Sequence, residues 1–549
     1  MLKATILITL LLAFLLTSCY RSAEADLIIH NANIVSMDTD STVHEAMAIK
    51  DGKIIALGKE NQILNKYTAA TKVDAQTATI LPGFYDAHCH FLGYGLSKMQ
   101  LELYDLNSME EIVEACKGYQ LSNAEEWIVG RGWDNTDWED QSFPDNKLLN
   151  EAFPNTPVLL RRIDGHGALA NQKALTLAGI SDTTSISGGH IEILDGQLTG
   201  MLMDNAVDKV LDVIPEPSKN KKTQAILKAQ EDCLEYGLTT VTDAGLKKDE
   251  ALLLQELEKE GLLKMRVYVM LADSKENFDY FLDSIGHPVE TERVNIRGFK
   301  FYGDGSLGSR SACLTRPYYD IQDTTVYGFM LNEAAYFKEM AQRILKTDFQ
   351  MCTHCIGDSA ARTLLNIYGE VLGGYNDKRW RIEHAQIIHP DDYHLFADYT
   401  IIPSVQPTHA TSDMLWAVNR LGDKRLRDSY AYKKLMQQNY LIALGTDFPI
   451  ENISPIETFY AAVARKNLEG NPKNGFQIEN ALSRWNAMKG MTIWAALANF
   501  EETHKGSLEV GKDADFVILS QDILGVPEEL ILDTYVKSTY ILGEKVYGE

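Results

Sequence analysis

Short apolar runs recur through the middle of the chain and alternate with stretches that have a helical pattern. This alternation is typical of βα units around a parallel sheet. Eight of the runs predict strands, at residues 80–87, 238–243, 265–271, 296–302, 349–354, 380–384, 401–405 and 441–447. Eight such strands predict an α/β fold, a (β/α)8 TIM barrel, whose chemistry lies at the carboxyl ends of the strands.

The two ends of the chain instead contain short segments with the alternating apolar pattern of β-strands. Residues 26–80 contain short alternating apolar segments, and Asp51-Gly52 between two of them is typical of a hairpin turn. Residues 500–549 have the same pattern. We therefore expect the ends to meet in one small composite β-sandwich domain, with the barrel formed by residues 81–499.

The first and second predicted strands are separated by about 150 residues, too many for one crossover. Ser108 and Glu111 form a capping-box pattern that opens a helix in this stretch. The sequence thus predicts an inserted subdomain at about 92–225. An insertion at the carboxyl end of a barrel strand is expected to overhang the active site.

The first eighteen residues predict a signal peptide rather than a part of the fold. Met1-Leu2-Lys3 gives a basic start, and the thirteen apolar or near-apolar residues that follow are too few for an ordinary membrane-spanning helix. The run ends in Leu16-Thr-Ser-Cys19, which resembles the lipobox of bacterial lipoproteins. The resemblance implies cleavage before Cys19, lipid on its thiol, a tether at 19–25 and anchoring in the cell envelope. A plain secretory signal with a chance cysteine is the alternative.

The chain's charge and cysteine content exclude several classes of protein. A formal net charge of −25 over 549 residues argues against nucleic-acid binding, which needs a basic face. Seven cysteines in a chain of this length exclude a disulfide scaffold. Hydrophobic residues at 45% and charged residues at 23% are those of a globular protein, so extensive disorder is excluded.

Polar side chains end four of the predicted strands. His88 and His90 are two residues apart, so an extended segment places both imidazoles on one face. His354, His384 and Asp447 end three further strands. Imidazole and carboxylate ligands suit zinc, and iron, manganese or nickel would accept the same ligands. One strand-end histidine is more often a packed residue, but the five positions together predict a metal site.

The sequence around these positions resembles the metal-dependent amidohydrolases, in which an H-x-H pair follows the first strand. The resemblance covers nearly all of the chain after the signal, and includes residues 82–90 and 506–519. More narrowly, the chain resembles the amidohydrolase-3 branch, which contains N-substituted formamide deformylases. The supporting blocks lie at 164–171, 303–310, 354–358 and 445–449.

The resemblance also implies roles for Lys300 and Asp447. In binuclear members a lysine at the fourth strand is carboxylated by CO₂ and bridges two metals, which requires a neutral, desolvated amine. The alternative for Lys300 is an ammonium paired with Asp304 beside a single ion. Asp447 is expected to shuttle a proton from water to the leaving nitrogen. The alternative for Asp447 is a pure metal ligand, and the two roles can coexist.

Four further residues are candidates for contact with the substrate. His166, Asp304 and Arg310 could bind substrate or stabilise charge on the tetrahedral intermediate, and we count His166 among the catalytic candidates. For Arg310, a salt bridge that holds loops together is an equal alternative. Trp133 could line a pocket for an apolar substituent, although a tryptophan in such an insertion is more often part of a core.

The function implied by the resemblance is metal-dependent hydrolysis of a C–N bond other than a peptide bond. The expected substrate is a small amide, an N-formyl compound or a cyclic amide, and the expected cofactor is one or two divalent ions, foremost zinc. Ester or C–O hydrolysis at the same site is one alternative. A cell-surface binding or regulatory protein that keeps the barrel as a scaffold is another, but the full ligand set favours an enzyme. We expect membrane contact through the lipid anchor alone, and superfamily barrels often pair, which allows a homodimer.

Overall fold

The computed structural model describes residues 23–548, except 123–125, 136–137, 141, 163–166, 187–188 and 323–324. The predicted signal peptide, the lipidation site Cys19 and most of the tether lie outside the described residues. The described chain forms two compact units. One unit is Gly95–Ala225, and the other is formed by residues 23–94 and 226–548.

The larger unit contains a nearly closed barrel of eight parallel strands, as the apolar runs predict. Each strand pairs with its predecessor in chain order. The strands, called barrel strands 1 to 8 below, are Phe84–Cys89, Leu238–Leu246, Arg266–Ala272, Val294–Tyr302, Gln350–Cys355, Arg381–His384, Ile402–Val405 and Ala443–Leu444. A short strand, Val289–Glu290, pairs antiparallel with barrel strand 4.

Barrel strand 8 is shorter than predicted, because the segment after Leu444 leaves the ladder. That segment instead exchanges backbone hydrogen bonds with the end of barrel strand 1. Asp447 N donates to His88 O at 2.8 Å, and His90 N donates to Phe448 O at 2.8 Å. The barrel therefore closes at the level of the candidate metal ligands, and closure itself fixes the position of Asp447.

Helices connect the strands and bury one apolar side each. In the helix Asp358–Leu372, the buried positions Ala361, Leu364, Leu365 and Tyr368 recur every three or four residues. Full burial of a leucine-sized side chain contributes roughly 1.5–3 kcal/mol. The larger unit's α-helices include Glu60–Lys66, Lys248–Lys259, Lys275–Asn277, Ala334–Leu345, Asp358–Leu372, His394–Asp398, Pro407–Asp413, Ala417–Leu426, Tyr432–Asn439, Pro455–Ala464, Arg484–Gly490 and Ile493–Ala498. A π-helix spans Phe278–Ile285, and 3₁₀ turns span Pro390–Asp392, Ile478–Asn480 and Glu528–Asp533. The helices Phe91–Ser97 and Lys219–Glu235 contain the two boundaries between the units.

Strands from both chain ends form two further sheets that share one apolar core. The four-stranded sheet has the order Lys53–Gly58, Ala46–Lys50, Ala23–His30, Tyr67–Asp74. The six-stranded sheet has the order Glu544–Gly548, Val536–Ile541, Phe516–Leu519, Thr79–Pro82, Asn33–Val35, Val43–His44. Asp51 and Gly52 have φ of 49° and 73° and form the predicted turn. Ile29, Ile49 and Phe516 are buried in the shared core, so the predicted β-sandwich is present.

A buried ion-pair network joins the start of barrel strand 3 to the C-terminal β segment. The Arg266 guanidinium is 2% exposed and lies 2.7 Å from both Asp513 Oδ2 and Asp515 Oδ2. Its Nη1 also donates to Glu292 O at 2.6 Å. Burial alone would raise the pKa of Asp515, but the arginine holds it below its ordinary value.

The smaller unit is built on one six-stranded sheet rather than on helices alone. Its order is Gly189–Leu194, Gln197–Asp204, Gly167–Ala170, Val158–Arg162, Ile128–Trp133, Leu101–Glu102. Its helices are Met109–Ser122, Lys147–Ala152, Gln172–Leu177 and Asn205–Leu211. Ser108 Oγ accepts from Glu111 N at 3.2 Å, as the capping pattern predicts, while the Glu111 carboxylate accepts from Asn107 N at 2.7 Å. That this unit overhangs the active site stays a prediction.

Among the described residues, every helix is too short or too polar to cross a lipid bilayer.

Candidate metal centre

The end of barrel strand 1 places the imidazoles of His88 and His90 at the carboxyl end of the barrel. His88 Nδ1 donates to Glu383 Oε2 at 2.5 Å, and His90 Nδ1 donates to Ala244 O at 3.0 Å. Because each Nδ1 carries the proton of its hydrogen bond, each Nε2 is unprotonated and has a lone pair that can bind a metal ion. Burial, reinforced by the charge of Lys300, lowers the pKa of His88 to about 4, so its ring is neutral at pH 7.

The end of barrel strand 6 adds His384 to the same group. Its Nδ1 lies 2.8 Å from Gln406 Oε1, which again leaves Nε2 unprotonated. Its ring centroid is 4.8 Å from that of His88 and 4.5 Å from that of His354. Burial holds the pKa of His384 well below its ordinary value. A cluster of neutral imidazoles therefore faces the cavity.

Asp447 lies among these rings. Its Oδ1 is 3.3 Å from His90 Nε2 and 3.7 Å from His88 Nε2. Its Oδ2 is 3.6 Å from His409 Nε2 and 4.0 Å from His384 Nδ1. Burial alone would raise the pKa of Asp447, but the adjacent imidazoles, foremost that of His90, hold this pKa well below its ordinary value. The carboxylate is thus ionised at neutral pH.

Two backbone positions in the cluster have left-handed conformations that non-glycine residues rarely adopt. The φ of His384 is 69° and that of Asp447 is 64°. Each such residue costs on the order of 1–3 kcal/mol, which the surrounding fold must supply. Outliers of this kind concentrate at functional sites, and here both belong to candidate ligands.

The donor atoms fit a divalent metal in number, type and spacing. The ligand atoms of His88, His90 and Asp447 lie within 4.8 Å of one another, and so do those of His384, His409 and Asp447. Asp447 Oδ1 and His409 Nε2 are buried polar atoms without a hydrogen-bond partner among the described residues. Neutral imidazoles with a carboxylate are a donor set suited to zinc and similar ions.

Lys300 and His354 complete the cluster. Lys300 Nζ is 3.0 Å from His88 Nε2, and burial lowers the lysine's pKa against the charges of Glu383 and Asp447. His354 Nε2 lies 3.4 Å from Gly305 O, so the lone pair of this ring is on Nδ1. Both side chains line the same cavity as Asp447.

Buried groups behind the ligands fix their orientation. Glu383 is fully buried and also lies 2.6 Å from Arg381 Nε. Burial alone would raise the pKa of Glu383, but Arg381 and His88 lower it to about 2. Asp86 accepts hydrogen bonds from His88 N and from the hydroxyl of Thr446, at 3.0 and 2.6 Å. These contacts connect barrel strand 1 to barrel strand 6 and to the segment after barrel strand 8, behind the site.

Asp304, one of the candidates for substrate contact, is hydrogen-bonded to the backbone of neighbouring loops. Asp304 is buried and accepts hydrogen bonds from three backbone amides, those of Cys313, Ile356 and Gly357, at 2.8, 3.0 and 2.8 Å. Burial raises its pKa to about 7. Its oxygens are thus committed to holding loops, and the alternative pair with Lys300 is absent from the described contacts. These bonds favour a structural role for Asp304, and its contact with substrate stays a prediction.

Arg310 and Trp133 occupy positions that match the alternatives to substrate contact, a salt bridge for Arg310 and a core position for Trp133. Arg310 Nη2 pairs with Asp320 at 2.8 Å, on the surface, which is the loop-holding salt bridge. Trp133 is 1% exposed, and its indole N–H donates to Leu160 O at 2.9 Å inside the core of the smaller unit. Neither side chain lines the cavity. His166 lies outside the described residues.

Sequence reasoning missed His409 and Gln406. His409 stacks on His384 with ring centroids 6.0 Å apart and lines the cavity. It lies in the helix Pro407–Asp413, one turn beyond barrel strand 7, rather than at a strand end. The block Gln406-Pro-Thr-His409 follows a predicted strand directly, and that position is the signal by which both could be found.

A cavity of about 360 Å³ opens onto these residues. It is lined by His90, Lys300, Tyr302, Ser306, Leu307, Gly308, His354, Ile356, His384, Gln386, His409, Asp413, Trp416, Asp447, Ile450 and Glu451. The size suits a small molecule.

Comparison with known proteins agrees with this geometry. A model of the amidohydrolase family matches residues 71–547. The chain is 31% identical to protein LONG AFTER FAR-RED 3 of Arabidopsis thaliana, over 95% of this chain and 92% of that protein. It is 25% identical to the N-substituted formamide deformylase of Arthrobacter pascens, over 94% and 97% of the two chains. A crystal structure of a metal-dependent hydrolase from Pyrococcus furiosus is similar with a TM-score of 0.78 and 27% identity, over 91% of this chain and 99% of that one.

The family match spans the barrel and the C-terminal strands of the β-sandwich, and it includes every residue of the histidine and aspartate cluster. The chain belongs to the amidohydrolase family and is a metal-dependent hydrolase.

Proposed function

We propose that this hydrolase cleaves a C–N bond other than a peptide bond, in a small amide, an N-formyl compound or a cyclic amide. The observation that carries the proposal is the position of Asp447, an ionised carboxylate within 3.3–4.0 Å of four imidazoles at the cavity wall. Similarity to a protein named as a formamide deformylase supports the choice of bond. Water adds to the carbonyl carbon, the C–N bond breaks, and an acid and an amine leave.

The cluster's residues divide between binding an ion and moving a proton. His88, His90, His354, His384 and Asp447 would hold the ion, with His409 as a further ligand. A bound divalent metal, foremost zinc, supplies polarisation of the carbonyl and a lowered pKa for the attacking water. Asp447 takes the proton from that water and delivers it to the departing nitrogen.

Lys300 is proposed as a carboxylated bridge when two ions are bound. Its burial and its lowered pKa favour the neutral amine that reacts with CO₂. The modification adds 44 Da to the intact protein, since CO₂ forms the new N–C bond and the amine loses a proton as the carbamate forms. Intact mass under CO₂, with and without metal, should show the adduct in the wild type and not in Lys300→Arg. A wild type loaded with two ions that lacks the adduct contradicts the bridging role.

The test of the proposed function is a chelator-sensitive screen over formamides, acetamides, lactams and esters. We expect turnover of at least one amide class, loss of turnover on metal removal, and recovery when the metal is restored. Asp447→Asn should abolish turnover while some metal stays bound. Asp391→Asn, an exposed aspartate after barrel strand 6, is the control and should behave as the wild type. Turnover of esters alone would replace this proposal with ester hydrolysis, and undiminished turnover in Asp447→Asn would refute the shuttle.

We also propose that the enzyme is anchored at the bacterial cell envelope by lipid on Cys19. The support is the sequence of residues 1–19, a basic start and an apolar run that ends in a lipobox-like Leu-Thr-Ser-Cys. Two or three acyl chains give stable anchoring, whereas one chain does not. Cys19→Ser should release soluble, active enzyme, and metabolic labelling with palmitate should mark the wild type alone. Equal release of both proteins would contradict the anchor.

A further inference from the structure

Two carboxylates line the cavity in addition to the candidate metal ligands. Asp413 lies at the end of the helix Pro407–Asp413, and Glu451 lies in the loop after Asp447. Both are partly buried. Neither belongs to the two groups of candidate metal ligands. Their carboxylates are therefore available to a substrate bound in the cavity.

Each of these carboxylates has one oxygen held by the protein and one oxygen free. Asp413 Oδ2 accepts from Gln386 Nε2 and from Tyr430 OH, both at 2.8 Å. Glu451 Oε1 accepts from Ser412 Oγ at 2.6 Å. The remaining oxygens, Asp413 Oδ1 and Glu451 Oε2, accept no hydrogen bond from the described residues. The carboxylates are therefore held in place with acceptor capacity to spare.

No lysine or arginine in the described parts of the chain forms an ion pair with either carboxylate. Lys300 is the one such side chain that lines the cavity, and its Nζ lies against His88 Nε2 within the metal cluster. With no lysine or arginine of the described residues paired to them, the two carboxylates make their end of the cavity attractive to a cationic group. The indole of Trp416 also lines the cavity, and the guanidinium of Arg420, which is paired with Asp320, already lies 5.8 Å from its ring centroid. Such a ring attracts cations.

We propose that Asp413 and Glu451 select amide-type substrates that carry an ammonium or guanidinium group away from the scissile bond. The free oxygens of both carboxylates accept hydrogen bonds from the cationic group, and Trp416 contacts it. A substrate with a carboxylate at the same place is repelled. This inference rests on the proposed amide hydrolysis and names the substrate class for that site.

The experiment compares three formamides of equal chain length, N-substituted with a pentyl chain that ends in ammonium, methyl or carboxylate, together with the matching acetamides. For the wild type we expect kcat/KM at least tenfold higher for the ammonium compound than for the methyl compound, and lowest for the carboxylate. Asp413→Asn and Glu451→Gln should each reduce the ammonium-to-methyl ratio at least threefold, and the double variant should bring it close to one. Asp423→Asn, an exposed charge on the helix Ala417–Leu426, should leave the ratio unchanged. A wild-type ratio near one, or a ratio that the double variant leaves intact, overturns the selection.

A binding measurement keeps this inference separate from the proposed function. Calorimetric titration of the metal-loaded protein with butylguanidinium needs no turnover, and this cation donates N–H hydrogen bonds but, being protonated at neutral pH, has no lone pair with which to ligate a metal. We expect one bound cation in the wild type and affinity at least threefold weaker in the double variant. If no amide is hydrolysed but the cation binds in this way, the proposed function fails and the cation subsite stands. Equal affinity in the wild type and the double variant, with folding confirmed by melting temperature, removes the subsite.

Discussion

Replacing Glu383 with glutamine tests whether the buried carboxylate behind the site sets the metal affinity. Glu383 is fully buried, accepts the Nδ1 proton of His88 at 2.5 Å, and faces Arg381 at 2.6 Å. A glutamine retains the shape and one acceptor oxygen but removes the charge that makes the imidazole more basic as a ligand. Loss of such a supporting contact typically lowers metal affinity 10–100-fold, which corresponds to about 1.4–2.7 kcal/mol.

The same substitution has a second, separable effect on the metal-free protein. Arg381 keeps hydrogen bonds to Ala87 O and Ser404 Oγ at 2.6 and 2.8 Å, but it loses its buried counter-charge. Breaking a buried pair by removing one partner costs roughly 3–5 kcal/mol. We therefore expect Glu383→Gln to lower both the affinity for metal and the free energy of unfolding of the metal-free protein.

The assay is competition for zinc with a chelator of known affinity, combined with denaturant unfolding of the metal-free protein. Glu469→Gln, an exposed glutamate in a surface loop, is the matched control and should change neither quantity. Metal affinity within twofold of the wild type in Glu383→Gln would refute the reasoning, because His88 would then bind metal without help from its partner.

Three further substitutions test other parts of the structure. Arg266→Met leaves buried carboxylates without their main partner and should cost about 3–5 kcal/mol in denaturant unfolding; a loss below about 1 kcal/mol would contradict this. Since the pKa of Asp515 is lowered in the folded state, its contribution is complete above about pH 4 and is lost as the pH falls further, so the unfolding free energy of Arg266→Met should depend less on pH between 5 and 2.5. Trp133→Ala should cost about 3–5 kcal/mol through an unfilled core, and a changed KM with unchanged stability would restore the pocket interpretation. Gly445→Ala should impair metal binding, because a Cβ there would lie 2.5 Å from His88 N; metal content equal to the wild type by elemental analysis would contradict it.

The barrel could be predicted because each strand is a compact apolar run with its own periodicity. The eight predicted positions match the eight observed strands, and the β-rich ends meet as their shared pattern indicates. The six-stranded sheet of the smaller unit was not predicted. Its strands carry glycine and charge, as in Ile128–Trp133, and their pairing depends on contacts between segments far apart in sequence, such as Ala168 with Leu202.

The sequence predicted the site residues that lie at strand ends. It did not predict the features that depend on which residues meet in the folded structure. His88, His90 and Asp447 come together as expected. His409 enters from a helix, one turn beyond the end of barrel strand 7, so a search restricted to strand ends does not find it. Asp304 follows a strand like the true cluster members, but its partners are backbone amides, which sequence pattern does not reveal.

The central claim is that His88, His90 and Asp447 form a metal site together with the neighbouring histidines. Anomalous diffraction from crystals of the zinc-loaded enzyme, collected on both sides of the zinc absorption edge, tests it most directly. We predict an anomalous peak bonded to His88 Nε2, His90 Nε2 and a carboxylate oxygen of Asp447, which disappears in His88→Ala crystals soaked under the same conditions. The absence of a peak at this cluster in active, zinc-loaded enzyme would contradict the account.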